Sequence, residues 1–143
     1  PAGLSVLPMP PFPGPEDPEE RIEALCASVR RFAAFDPETV LCLTGPVGDR
    51  DPEEARRIVV EGLREVARTG AEVGVRVALE PIHASARDDF TLVDNLPDTI
   101  ALLEEVGRRR SNREFLAMAE RYEDVNPKLA RELRSYARGG STY

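Results

Sequence analysis

Apolar, strand-like runs begin near residues 4, 39 and 75, and a helical pattern separates each from the next, giving a repeat of about 35 residues. Two parallel strands need a crossover of a dozen or more residues between them, usually a helix, and this spacing leaves room for one. The expected fold class is therefore α/β, built from successive parallel βα units and not from hairpins. Thr39 to Thr44 is almost continuously apolar and ends at Gly45-Pro46, as expected for a strand covered on both faces. Val75 to Glu80 reads as the next strand.

The helices announce themselves by the same four residues. Asp17-Pro18-Glu19-Glu20 and Asp51-Pro52-Glu53-Glu54 each offer a capping aspartate, a proline suited to the first helical position and acidic side chains in the first turn. In the first helix, residues 18–33, the spacing of Ile22, Leu25, Cys26, Val29 and Phe32 predicts one buried face, with Arg21, Glu23, Arg30 and Arg31 mostly elsewhere. The second is expected to pack through Ala55, Ile58, Val59, Leu63, Val66 and Ala67 and to stop at Gly74. A third, around residues 96–106, is expected to pack through Leu96, Ile100, Leu103 and Val106 and to close at Gly107. Seven of the 13 prolines fall within residues 1–18, so the stretch from Pro8 to Pro15 is expected to be a loop.

The repeat stops at Arg108-Arg109-Arg110-Ser111-Asn112, which no buried strand would tolerate. Charge divides at the same place: the formal total is −7, composed of −11 over residues 1–107 and +4 over residues 108–143. This predicts a βα-repeat domain over 1–107 and a basic helical tail over 108–143, with short helices from Arg113 to Tyr122 and from Pro127 to Arg138. Gly139 to Tyr143 is expected to fray. A net negative charge opposes the phosphate contacts that dominate nucleic-acid affinity, so a nucleic-acid partner is not expected. No run approaches the roughly 18 apolar residues of a membrane helix, and no basic n-region precedes an apolar stretch at the start. Cys26 and Cys42 sit on apolar stretches and read as packing residues with free thiols, which gives a cytoplasmic expectation.

Parallel α/β proteins place their chemistry in the loops that follow strands. Two such loops stand out, Gly45 to Arg50 and the long segment from Glu80-Pro81-Ile82-His83 to Asn95. Glu80 is the sharpest position, because a carboxylate ending an apolar strand calls for a partner, either a divalent metal or an arginine. Asp88 and Asp89 beside Arg87 read as a solvated charge cluster.

At Val77-Ala78-Leu79-Glu80-Pro81-Ile82-His83 the sequence resembles the xylose isomerase-like TIM-barrel superfamily of sugar phosphate isomerases and epimerases. The likeness extends from Gly3-Leu4-Ser5-Val6 and Pro13-Gly14-Pro15-Glu16-Asp17 through Leu41-Cys42-Leu43-Thr44-Gly45-Pro46 to the Asn95-containing helix, about residues 1–107. The resemblance implies a partial TIM barrel, since a full one uses eight βα units in roughly 250 residues. It also implies a metal-dependent sugar or sugar-phosphate isomerase or epimerase, incomplete in this chain, moving a proton next to a carbonyl through an enediolate. On that reading Glu80 is both catalytic residue and metal ligand, His83 contacts a small carbohydrate substrate, and the cofactor is a divalent ion (Mn, Mg, Co or Zn). The alternative is a non-catalytic α/β interaction module. Three βα units leave strand edges open, so either reading carries an expected homo-oligomer or protein partner.

Overall fold

The computed structural model describes residues 4–9, 12, 14–108, 116–117, 119–121, 123–124 and 127–138. The chain separates into two compact units, Pro1–Gly107 and Arg108–Tyr143.

The first unit runs β1 (Leu4–Ser5), α1 (Pro18–Phe32), β2 (Thr39–Leu43), α2 (Pro52–Glu72), β3 (Arg76–Leu79), the short α3 (Arg87–Phe90) and α4 (Leu96–Gly107). The three strands form one parallel sheet in the order β1-β2-β3, the βα arrangement expected from the repeat, and the sheet is not closed. Leu4 pairs with Cys42 and Ser5 with Leu43, while Thr39 to Cys42 pair in register with Arg76 to Leu79.

Both long helices start as the sequence predicts. The Asp17 carboxylate accepts from the amides of Glu19 and Glu20 at 3.0 Å each, and Asp51 accepts from Glu53 and Glu54 at 3.0 and 3.1 Å. Such caps satisfy donors that no helical carbonyl can reach, each worth about 1 kcal/mol. One core then forms between helices and sheet, from Leu4 and Val6 of the first strand region, Val29 of α1, Cys42 of β2, and Val59 and Val66 of α2. The backbone of α2 approaches closely at Gly62, where a Cβ would lie only 2.6 Å from Val6 Cγ1. Glycine costs helix stability in such a position, yet here it sets how tightly the helix lies on the sheet.

Four sequence expectations are corrected. β2 is covered on one face only: Cys42 is fully buried against the helices, whereas Leu41, pointing the other way, is 55% exposed. A continuous apolar run cannot tell a strand buried on both faces from one whose second face awaits a neighbour. In α4 the buried positions are Thr99 and Leu102, and Leu96, Ile100 and Leu103 stand exposed, because the helix turns a different flank toward α2. Arg21 is buried, for reasons given below. Ala67 is exposed, and Thr69 takes its place in the buried face of α2.

In the second unit, α5 (Pro127–Ala137) buries Ala130, Leu133 and Ala137 and forms an ion pair from Arg134 to Glu123. Residues 116, 117 and 119–121 are helical. The rest of the expected Arg113 to Tyr122 helix, including Phe115 and Met118, lies outside the described residues, as do the Arg109 to Asn112 segment and the Gly139 to Tyr143 end.

Candidate active site

The carboxyl ends of the three strands converge on one edge of the sheet. The Glu80 amide donates to the Cys42 carbonyl at 3.0 Å, which carries the β2–β3 ladder one residue past β3. Continuing the register sets Glu80 beside Leu43, and Leu43 is already paired with Ser5. Side chains alternate across a strand, and Val40, Cys42, Val77 and Leu79 face the helical core. Ser5, Leu43 and Glu80 therefore form a row on the opposite face, with Leu41 and Ala78 behind them. Glu80 is exposed there.

Two buried polar knots hold the loops around this row. Arg21 reaches from α1 into the turn after β1, where only 3% of it is exposed. Its Nε donates to the Ser5 carbonyl at 2.9 Å, and its terminal nitrogens donate to Pro15 at 3.2 Å and Phe12 at 3.0 Å. The proline-rich segment cannot supply many donors of its own, so a planar, multiply donating guanidinium gathers its carbonyls. Burial pulls the Arg21 pKa below its ordinary value, nearby Glu16 opposes that shift, and Arg50 adds to it.

The second knot joins Thr44, just past β2, to Thr91 in the segment before α4. The two hydroxyl oxygens lie 3.2 Å apart, the Leu92 amide donates to Thr44 Oγ1 at 2.7 Å, and Thr91 Oγ1 donates to the Val93 carbonyl at 2.6 Å. Next to it, Gly45 has φ +76°, and a Cβ there would meet the Leu7 carbonyl oxygen at 2.5 Å, so the turn out of β2 requires glycine. Neither Arg21 nor Thr91 was visible as a site-forming residue in the sequence. The one signal at Thr44 is its place before Gly45-Pro46.

His83 is exposed and faces its own loop: the Ser85 amide donates to Nδ1 at 3.2 Å, with Ser85 Oγ 2.9 Å from the same nitrogen. This caps the short 3-10 turn Ala84–Ala86 and leaves Nε2 to carry the ring proton. Arg87 pairs with Asp94 at 3.2 Å, while Asp88 and Asp89 are exposed. Asn95 caps α4, its Oδ1 accepting from the Asp98 amide at 2.9 Å.

The parallel βα fold agrees with an independent comparison. A profile of the xylose isomerase-like TIM barrel family matches residues 2–112. The chain belongs to that family. A crystal structure of the protein SMc04130 from Sinorhizobium meliloti 1021 shares its fold, with a TM-score of 0.61 at 20% identity over 83% of this chain and 49% of that one. The chain thus spans about half the length of this neighbour in fold. A search of curated proteins finds no match.

Members of the family often use divalent metals. Among the described residues, no three of His, Cys, Asp and Glu group closely enough to hold a metal ion. Glu80 offers one carboxylate and His83 one remaining ring nitrogen, fewer donors than a divalent cation takes from a protein site. By themselves these residues do not fit a complete metal centre.

Proposed function

We propose that this chain contributes the first βα units of a sugar or sugar-phosphate isomerase or epimerase, with Glu80 as the proton-transferring carboxylate. The observation that supports the reading is the placement of Glu80 at the carboxyl end of β3, in one row with Ser5 and Leu43 on the face turned away from the helices. In a barrel of this family that face looks inward, toward the substrate. The exposed carboxylate would accept a proton from the carbon next to a sugar carbonyl. The electron pair left behind would move toward the carbonyl oxygen as an enediolate forms. Return of the proton to the neighbouring carbon gives isomerisation, and protonation of the opposite face of the same carbon, by an acid other than Glu80, gives epimerisation. His83 would donate its Nε2 proton to a sugar oxygen. Any divalent ion would need ligands beyond Glu80 and His83.

The partner on this reading is a small carbohydrate. No described helix is long and apolar enough to cross a membrane, and the buried free thiols of Cys26 and Cys42 support our placing the protein in the cytoplasm.

The test is deuterium incorporation from D₂O at the carbon next to the carbonyl of dihydroxyacetone phosphate, D-xylulose and D-fructose 6-phosphate, with and without Mn²⁺. Incorporation by the wild type that falls at least a hundredfold in Glu80→Gln supports the proposal. No incorporation into any of the three by folded protein, or equal incorporation by Glu80→Gln, overturns it.

The second reading, an interaction module, is favoured by a separate observation: the exposed apolar stripe of Leu96, Ile100 and Leu103 on α4. A stripe of this kind on an otherwise acidic helix supports a reading in which another protein covers it.

A further inference from the structure

Residues 1–107 carry ten arginines and no lysine against 21 acidic side chains. In such a surplus of acid every cation should find a partner, and nine of the ten do. Arg21 and Arg64 hold backbone carbonyls, Arg31 holds Ser28 Oγ, and six others pair with carboxylates. Arg50 is the exception: among the described residues its guanidinium has no hydrogen bond and no ion pair. Its neighbour Asp51 already accepts from the amides of Glu53 and Glu54, and Asp49 is exposed.

The exception does not stand at an edge. β2 is the middle strand of the three, so the loop that leaves it has the loops of both neighbouring strands beside it. That loop is firmly built, because Gly45 lies against Leu7, Val47 packs on the core and the Arg50 amide donates to the Val47 carbonyl at 3.3 Å. Arg50 is half-buried on it, and its charge acts on Arg21, whose Nε holds the Ser5 carbonyl at the end of β1. Two guanidinium groups thus lie near the carboxyl ends of β1 and β2, with Glu16 as the carboxylate whose charge reaches Arg21. Beside Gly48 the space is open, since a Cβ there would meet nothing within 4 Å.

Like charges held near each other repel, and a half-buried cation without a partner gives up hydration and receives no ion pair. Arrangements of this kind gather at binding sites, where a ligand supplies the missing charge. We propose that Arg50 binds the phosphate group of the substrate, so that this chain serves a sugar phosphate and not a neutral sugar.

The chemistry of the site selects that ligand. A phosphate monoester carries about −1.5 to −2 charges at neutral pH and three acceptor oxygens, which matches two guanidinium groups in charge and the planar fork of Arg50 in shape. A neutral sugar leaves the cation as it is. A polyanion such as a nucleic acid would meet the −11 of residues 1–107, which opposes it. Dimensions agree as well: neighbouring strands lie about 4.8 Å apart, so Ser5 on β1 and Glu80 beyond β3 are separated by roughly 10 Å across Leu43, a gap that an extended sugar phosphate spans. Its carbonyl end then rests at Glu80 and its phosphate end at the loops after β1 and β2. Arg21 acts as a positioning residue, bonded to the turn and not to the ligand.

This inference rests on the isomerase reading for its substrate class, but its measurement contains no chemical step. The experiment is titration calorimetry of the 143-residue chain at low ionic strength with D-fructose 6-phosphate and, in parallel, D-fructose. The wild type is expected to bind the phosphate ester about tenfold more tightly or better, and Arg50→Gln to bring the two sugars within about threefold of each other. Arg50→Lys keeps the charge without the fork and should fall between. Glu80→Gln should keep the preference, because it alters the carbonyl end alone. A chain that prefers the phosphate through Arg50 yet exchanges no deuterium therefore refutes the isomerase reading alone, whereas exchange without the preference refutes this inference alone. Urea unfolding without ligand separates binding from a structural role: Arg50→Gln should leave the midpoint unchanged or raise it, since the lost guanidinium bonds no described residue and repels Arg21. A lowered midpoint counts against the proposal. Equal affinity for the two sugars in the wild type, binding of neither, or an undiminished preference in Arg50→Gln overturns it.

Discussion

Arg21 Nε donates to the carbonyl of Ser5, 16 residues earlier, at 2.9 Å in a buried setting, and this bond ties the first helix to the end of the first strand. The same guanidinium also holds Pro15 and Phe12, so one side chain organises the turn that leads out of β1. Arg21→Met leaves three carbonyls without their donor and is expected to cost about 3 kcal/mol, at 1–3 kcal/mol per buried group lost and with some recovery through water. Arg21→Lys keeps the charge but not the planar fork and is expected to lose most of the same stability. Urea unfolding of both variants measures this, and a loss below about 0.5 kcal/mol for Arg21→Met would contradict it.

The Thr44–Thr91 knot predicts strong coupling between two distant positions. Thr44→Val strands the Leu92 amide, a buried donor, and is expected to destabilise by about 1–3 kcal/mol. Thr91→Val removes the acceptor of the Val93 amide and should cost a similar amount. Because the two hydroxyls share one network, the double variant should fall short of the sum by at least about 0.5 kcal/mol in a double-mutant cycle. Additive losses would show that the two threonines act separately.

Gly62→Ala tests helix propensity against close packing. On an exposed helix the change would stabilise by about 1 kcal/mol. Here the added methyl would meet Val6 Cγ1 at 2.6 Å and Ile22 Cγ1 at 3.2 Å, so overpacking should win and give a net loss of about 1–2 kcal/mol. A rise in melting temperature would mean that α2 can lift off the sheet at little cost.

Cys42 ties stability to alkaline pH. Burial pushes its thiol from an ordinary 9.0 up to about 12, so the folded state holds a proton that the unfolded state gives up between those values. The stabilisation is complete below pH 9 and is lost as pH rises toward 12. The urea midpoint of the wild type should therefore fall more steeply between pH 8 and pH 10.5 than that of Cys42→Val. The native thiol should also stay unreactive toward a disulfide reagent at pH 8 and react once urea unfolds the chain.

The parallel βα order, both aspartate caps, the 107/108 charge break and the position of Glu80 at a strand end could all be read from the residues. These are local or periodic properties: a capping carboxylate acts on amides two and three residues away, and strand spacing follows from the length of a crossover helix. The role of Arg21 was illegible because its three partners lie at the end of β1 and in the proline-rich turn, up to 16 residues away, and an arginine in an amphipathic helix looks solvated until such acceptors are folded around it.

The stripe of α4 shows the same division from the other side. Its spacing marks Leu96, Ile100 and Leu103 as one apolar flank, and the sequence fully determines that they lie together. Which flank is buried depends on where α2 stands, because Arg56 and Arg64 bind Glu105 and the last carbonyls of α4 and so fix the rotation that turns Leu102 inward. Likewise, alternation alone puts Leu41 and Cys42 on opposite faces of β2. Only the open three-stranded sheet decides that helices cover Cys42 and leave Leu41 bare, since burial is a property of neighbours supplied by distant parts of a chain and not of the residue that needs them.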